Sequence, residues 1–259
     1  MSNVKLITIV KNRLDHFLHT FPFMVSQYGT FYDFVIVDYH SNDGLSDIIP
    51  SLIDTKKISF SPYLKKIYKI SLDVDQKFNS KKARNLGAAW FKNEENIFAF
   101  CDVDTFIGMS YVDKWSRLTI KNKTFIVTRQ QDTRAAHPSR LSPEVNYGNL
   151  VIHSSDYFDV EGYDESMSYY GGGDDDIFHR LKLSNLREIN PYSPIDACQF
   201  SIVHGEEDRL LELEEPRRAD KDITFSKVYK NTKRKVSNNK FINLDYSKTI
   251  SNIQVMYEK

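Results

Sequence analysis

Asn96-Ile97-Phe98-Ala99-Phe100-Cys101-Asp102-Val103-Asp104 reads as a buried strand, apolar almost throughout, that stops in two carboxylates two residues apart. Side chains alternate along a strand, so Asp102 and Asp104 emerge on one side as the chain leaves the sheet. Two carboxylates so placed can hold a divalent cation, and that cation can hold a diphosphate. Alone, Asp-x-Asp is unspecific, and most such pairs are solvated loop acids. Its meaning depends on what else reaches the same end of the sheet.

Upstream, Val4–Val10 is a β-branched strand at the start of the chain. Asp15 through Tyr28 has helical spacing, with Leu14, Phe17, Leu18 and Phe21 on one face and Pro22 interrupting it. Phe34–Asp38 is a second strand, His40–Gly44 its turn, and Asp47 to Ile53 a short helix. Lys66–Ile70 is a third strand, and Ser80 to Asn93 a helix with Ala83, Leu86, Ala89 and Trp90 at helical spacing. Strand–helix alternation of this kind predicts an α/β fold with a Rossmann-like, mostly parallel central sheet flanked by helices. Ligands bind such sheets at the carboxyl ends of the strands. Lys11, Asp38 and Asp104 all sit at predicted carboxyl ends and converge on one crevice.

Downstream the pattern is less regular and suits a smaller, acceptor-side region. Tyr111–Leu118 reads as a helix, Thr124–Thr128 and Tyr147–His153 as strands, and Arg129 to Pro143 as a polar loop. Ser154–Asp176 contains eight acids and no base, and a helix starts at Asp176. Phe200–His204 is a strand ending in a histidine. Arg217–Lys259 carries eleven basic against four acidic residues, with a strand at Ile250–Met256. The expected division is 1–110 for a nucleotide-binding half, 111–216 for an acceptor-binding and catalytic half, and 217–259 for a basic extension packing on the same domain.

The bulk numbers bound this reading. A chain of 259 residues suits one large α/β domain with a sizeable core. Lys plus Arg and Asp plus Glu both number 35, so nothing global points to nucleic acid. Cys101 and Cys198 form no disulfide framework and read as buried filler. The Val4–Val10 run is too short for a signal peptide, and no run reaches transmembrane length. The expectation is a soluble cytoplasmic protein, with peripheral contact at the inner face of the membrane left open through the basic C-terminal stretch.

Four constellations carry the chemistry. Lys11-Asn12-Arg13 puts cations after the first strand, where phosphates bind; taken alone it is an ordinary polar loop. Asp38 can accept from a base or ribose, or simply make an Asx-turn with Ser41 and Asp43. In Phe78-Asn79-Ser80-Lys81-Lys82-Ala83-Arg84-Asn85, Asn79 or Ser80 can cap the helix, and Lys82 and Arg84 lie in its first turns. Tyr169-Tyr170-Gly171-Gly172-Gly173-Asp174-Asp175-Asp176 places three adjacent carboxylates at a helix start. The helix dipole favours their ionised forms and mutual repulsion opposes full ionisation. A carboxylate so placed can take a proton from a substrate hydroxyl. His204, a lone histidine, gains weight because the acidic groups lack a nitrogen ligand for a borderline metal such as Mn²⁺.

Taken together, Thr8–Arg13, Ile36–Asp38 with Ser41-x-Asp43-Gly44, Phe78–Gly87 and Phe100–Asp104 resemble the nucleotide-sugar half of GT-A glycosyltransferases. They are similar to the large inverting glycosyltransferase family 2. Gly162-Tyr163-Asp164 through Gly173-Asp174-Asp175-Asp176-Ile177-Phe178-His179-Arg180-Leu181 resembles the carboxyl-terminal domain of β-1,4-galactosyltransferases and chondroitin-synthase-type polymerases. The resemblance implies a GT-A fold and a metal-dependent, inverting transfer of a hexose, galactose or N-acetylgalactosamine, from a UDP-sugar to a glycan hydroxyl in surface-polysaccharide synthesis. It implies Asp104 and His204 as ligands of Mn²⁺ or Mg²⁺, with Asp102 and Val103 beside the metal and ribose. Lys11, Arg13 and Asp38 would line the uridine and diphosphate pocket; Asn79, Lys82 and Arg84 would face the donor. Asp174 would be the catalytic base and Asp175 its assistant in the acceptor site.

The pattern departs from the galactosyltransferases at Tyr170, where they carry a tryptophan, at Gly173, where they carry an acceptor-binding glutamate, and at Ser201, where they carry a metal-binding methionine. Donor sugar, acceptor, linkage, metal preference and oligomeric state are not legible. Two rival readings are a sugar nucleotidyltransferase, disfavoured because no glycine-rich phosphate loop follows the first strand, and a non-enzymatic glycan- or calcium-binding module built on the acidic 154–176 stretch.

Overall fold

A computed structural model describes residues 3–54, 58–72, 78–131, 145–167, 172–191, 199–202 and 250–259. Ten strands and six helices follow in the order β1 (Asn3–Val10), α1 (Leu14–Met24), β2 (Tyr32–Asp38), α2 (Leu45–Asp54), β3 (Leu64–Leu72), α3 (Ser80–Ala89), β4 (Asn96–Phe100), β5 (Thr105–Ile107), α4 (Tyr111–Leu118), β6 (Thr124–Gln131), β7 (Val145–His153), α5 (Ser154–Asp159), α6 (Gly173–Leu183), β8 (Arg187–Ile189), β9 (Gln199–Ser201) and β10 (Ile250–Glu258).

Eight strands form one sheet in the order β10-β3-β2-β1-β4-β7-β6-β8, and β5 pairs with β9 in a small ribbon. The β3-β2-β1-β4 centre is parallel, as the alternation predicts. Beyond it β7 runs antiparallel to both β4 and β6, β10 runs antiparallel to β3, and β8 is again parallel to β6, so the sheet is mostly parallel as expected. The strands β6 and β7 follow one another in the chain and pair antiparallel, and antiparallel neighbours need no crossover.

The alternation of β1 explains why both sheet faces are covered. Val4, Leu6 and Val10 point into a layer with Phe17, Phe21 and Met24 of α1, Leu45 and Ile49 of α2, and Tyr111 and Trp115 of α4. Ile7 and Ile9 point into the opposite layer with Ala83, Leu86 and Ala88 of α3, Tyr157 and Phe158 of α5, and Ile177, Phe178 and Leu181 of α6. At Gly87 α3 lies close on the sheet: a Cβ there would lie 2.8 Å from Val37 and 3.0 Å from Ile7.

Several boundaries differ from the sequence reading. α1 continues through Pro22 to Met24, because a proline so near the end removes little of the hydrogen-bond ladder. α3 stops at Ala89; Phe91, Lys92 and Glu94 then donate to carbonyls three residues back in tight turns. α6 begins at Gly173, so all three acids lie inside its first turn. The strand of Asn96–Asp104 ends at Phe100, and the two acids stand in the turn beyond it. Residues 203–249, including His204 and most of the basic extension, lie outside the described residues, as do Cys198, 132–144 and 168–171. No helix among the described residues is long and apolar enough to cross a membrane.

Candidate active site

The carboxyl ends of β1, β2 and β4 open on one side, as a parallel sheet dictates. At β4 the chain turns through Cys101–Asp104, closed by the Thr105 amide donating to the Asp102 carbonyl at 3.0 Å. Burial alternates through the turn: Cys101 and Val103 are buried, Asp102 and Asp104 partly exposed. The two carboxylates therefore share an outlook although neither lies in a strand.

Arg84 of α3 ties this turn to α6. Its guanidinium donates to Asp102 Oδ1 at 2.6 Å and lies 3.7 Å from Asp174 Oδ1, stacking on the Tyr163 ring with 5.2 Å to the centroid. The three-acid helix start predicted from sequence and the strand-end pair thus meet at one buried cation. Lys81, one turn earlier on α3, is also buried, and its stem crosses Gly173 so closely that any side chain there would collide with it. Gly172 caps α6 in the left-handed region at φ 72°, which suits glycine.

The electrostatics follow from burial. Desolvation raises the Asp102 carboxyl to about 6; Arg84 opposes the rise and the Asp104 charge adds to it. Desolvation also raises Asp174, against the pull of Arg84 and Lys81. The Tyr163 hydroxyl faces Asp174 and favours its ionised form, although it stops short of hydrogen-bond geometry. Desolvation lowers the Lys81 ammonium to about 8.

The three acids of α6 have separate fates. Asp174 faces Arg84. Asp175 is exposed. Asp176 is buried, its Oδ2 accepting from Arg180 Nε at 2.9 Å and Nη2 at 2.6 Å; Arg180 also donates to the Val160 and Gly162 carbonyls. The third acid is accounted for by architecture.

The remaining predicted residues form the surrounding loops. Lys11 Nζ donates to the Tyr39 and His40 carbonyls at 3.3 Å each, joining the β1 and β2 ends. Arg13 occupies the position preceding α1. Asp38 is buried and occupied: its Oδ1 accepts from the Ser41 amide at 2.9 Å and its Oδ2 from Ser46 Oγ at 3.1 Å, the Asx-turn outcome. Asn79 caps α3, accepting from the Lys81 and Lys82 amides, and its Nδ2 donates to the Glu165 carbonyl at 3.0 Å. Lys82 is partly exposed beside it.

Asn85 is a residue the sequence reading quoted without assigning. Fully buried, it accepts from Tyr157 Oη at 2.6 Å and the Tyr163 amide at 2.9 Å, and donates to the Tyr163 carbonyl at 2.8 Å. It fixes the loop that carries Tyr163 over Arg84. Its signal was an asparagine inside an apolar helix face, between Ala83 and Leu86.

Asp102 and Asp104 supply hard oxygen donors that suit Mn²⁺ or Mg²⁺. No group of three or more potential ligands stands together among the described residues. That is compatible with a cation held by one or two carboxylates and completed by substrate phosphates and water. Arg84 pairs with Asp102 but does not offset its burial: desolvation, with the Asp104 charge beside it, keeps the Asp102 carboxyl raised.

Residues 132–204 match the model of a family described as the N-terminal domain of galactosyltransferase. No curated protein matches the chain in sequence. Among solved structures, the catalytic domain of Drosophila β1,4-galactosyltransferase 7 in complex with xylobiose is similar at 14% identity and a TM-score of 0.60, covering 98% of this chain and 94% of that one. A mannosyltransferase from Pyrobaculum calidifontis in complex with GDP-Man and Mn²⁺ is similar at 12% identity and a TM-score of 0.59, covering 87% and 69%. TarS of S. aureus is similar at 14% identity and a TM-score of 0.55, covering 89% of this chain and 43% of its own. The sheet order and the likeness to these structures give the chain a GT-A fold, and residues 132–204 carry a galactosyltransferase-type segment within it.

Proposed function

We propose that the chain moves a hexose, galactose or N-acetylgalactosamine, from a UDP-sugar to a glycan hydroxyl with inversion at C1, in surface-polysaccharide synthesis. The single observation carrying this reading is Arg84, which brings Asp102 and Asp174 from distant parts of the chain to one site. A sugar transfer needs a leaving-group side and a base side at that separation of roles.

On the base side, Asp174 takes the acceptor hydroxyl proton as its oxygen attacks. Its carboxyl is raised by burial, which makes it a better base, while Arg84 and Lys81 keep the ionised form accessible. Asp175, exposed at the same helix start, is positioned to meet the acceptor. Lys11, Arg13 and Asp38 shape the nucleotide side, with Asn79 and Lys82 at the mouth of α3 and Val103 between the two acids. Asp104 and Asp102 would hold Mn²⁺ or Mg²⁺, with His204 as the nitrogen donor; such a cation, when bound, neutralises the leaving diphosphate.

In this reading residues 1–110 serve the donor, 111–216 the acceptor, and 217–259 extend the same domain. Work in the cytoplasm at the inner membrane face, through the basic extension, fits the same scheme. The galactosyltransferase-type segment and the UDP-Gal and manganese complex of the Drosophila neighbour support the choice of donor and metal.

A screen of UDP-sugars for Mn²⁺-dependent UDP release, with and without acceptor sugars, tests the reaction. Asp174→Asn should still bind UDP and lose transfer by roughly 10²–10⁴-fold. Transfer at the wild-type rate would remove Asp174 as the base.

A further inference from the structure

The turn that carries Asp102 and Asp104 is held through its backbone by four other elements. The Cys101 amide donates to the Ile7 carbonyl of β1 at 2.9 Å. The Asp102 amide donates to Asn149 Oδ1 of β7 at 3.0 Å. The Thr20 hydroxyl of α1 lies 2.9 Å from the Val103 carbonyl, across 83 residues of sequence, and 3.0 Å from the His16 carbonyl one turn back, so its single proton is shared between the two. The Ile202 amide, just past β9, donates to the Asp104 carbonyl at 2.7 Å.

Behind Asn149 the chain of polar contacts continues. Its Nδ2 donates to Gln199 Oε1 at 2.8 Å, and Thr128 Oγ1 donates to the same oxygen at 2.7 Å. Thr128 and the Tyr111 hydroxyl are 3.0 Å apart. Thr20, Thr128, Asn149 and Gln199 are all fully buried. Uncharged polar groups in an apolar layer add little net stability over apolar groups of the same shape, because desolvation offsets most of the bond. Their value lies in direction: they fix the turn without touching its carboxylates, which stay turned toward the site.

We propose that Thr20 and Asn149 are positioning residues that set the Asp102–Asp104 carboxylates for a divalent cation and nucleotide diphosphate. The proposal rests on the donor reading above. Gln199 extends the device into β9, and the adjacent Ile202 amide, bonded to the Asp104 carbonyl, ties the β5–β9 ribbon to the turn.

The test is calorimetric binding of UDP, with and without Mn²⁺, to wild type, Thr20→Val, Thr20→Ser and Asn149→Leu. Thr20→Val has nearly the shape of threonine and removes only the hydroxyl. Thr20→Val and Asn149→Leu should each weaken Mn²⁺-dependent UDP binding about tenfold, roughly one to one and a half hydrogen bonds' worth. Thr20→Ser, which keeps the donor, should stay within about twofold of wild type on the same scale. Metal-free UDP binding should change little in any variant, a pattern that general loosening of the fold does not produce. If Asn149→Leu does not fold, the Thr20 pair decides. Equal Mn²⁺-dependent binding by Thr20→Val and Thr20→Ser overturns the positioning role while leaving the donor reading intact. Wild type that binds no Mn²⁺-UDP removes the donor reading, and the positioning role with it.

Discussion

Lys81 and Lys82 are adjacent and chemically alike, yet one is buried over Gly173 and the other partly exposed. Sequence spacing singled out Lys82; only packing reveals that Lys81 faces Asp174. The same holds for Arg84, which reads as a donor contact from its helix position but is engaged by Asp102 and beside Asp174. Long-range partners of a side chain are set by how helices pack, and one sequence carries no direct signal of that. Asp102, Asp104 and Asp174 stand out in the sequence only in combination, since acids after a strand and acids in the first turn of a helix are each common. Arg84 opposes the rise of the Asp174 carboxyl, so Arg84→Met should raise it further. In the proposed reaction Asp174 acts as the base and is active when ionised. The acid limb of the pH–rate profile should therefore move to higher pH in Arg84→Met, with Arg84→Lys between it and wild type. A limb that stays in place would show that Arg84 does not act on the base.

The start of α6 separates three identical side chains by depth. A run of Asp174-Asp175-Asp176 looks uniform in sequence, and three acids together suggest use in chemistry. Helical geometry instead turns the third inward, where Arg180 one turn on meets it with neither side chain exposed. Arg180 then holds the Val160 and Gly162 carbonyls, which seats the loop carrying Tyr163. Breaking a buried pair strands the surviving charge, at a cost of about 3–5 kcal/mol. Asp176→Ala should lose that much stability in urea unfolding, and Asp176→Leu with Arg180→Met should recover a good part of it. Asp175→Asn, at an exposed position, should change stability by no more than about 0.5 kcal/mol. Loss of stability at Asp175 comparable to that at Asp176 would contradict this division.

At the scale of the molecule, the parallel centre and its helices were readable because each strand–helix unit is local and its apolar period is regular. The edge was not: β10 reaches β3 from far along the chain, and nothing in either strand names the other. The open end of the sheet, however, has a thermodynamic signature. Asp102 rises from 3.8 to about 6 through desolvation, reinforced by Asp104. For an acid raised on folding, the native state binds the extra proton, so its stabilising contribution is complete below the ordinary value and is lost as pH rises through about 6. Without metal, the melting temperature of wild type relative to Asp102→Asn should therefore fall between about pH 4 and about pH 6. A divalent cation needs the ionised carboxylate, so Mn²⁺ with UDP should reverse that slope. At a ligand concentration 100 times its dissociation constant, linkage supplies about 2.7 kcal/mol, or roughly 5–10 °C in a chain of this size. Differential scanning calorimetry across this range checks both signs. A difference between wild type and Asp102→Asn that does not vary with pH would show that Asp102 keeps an ordinary acidity and that burial at the open end of the sheet does not raise it.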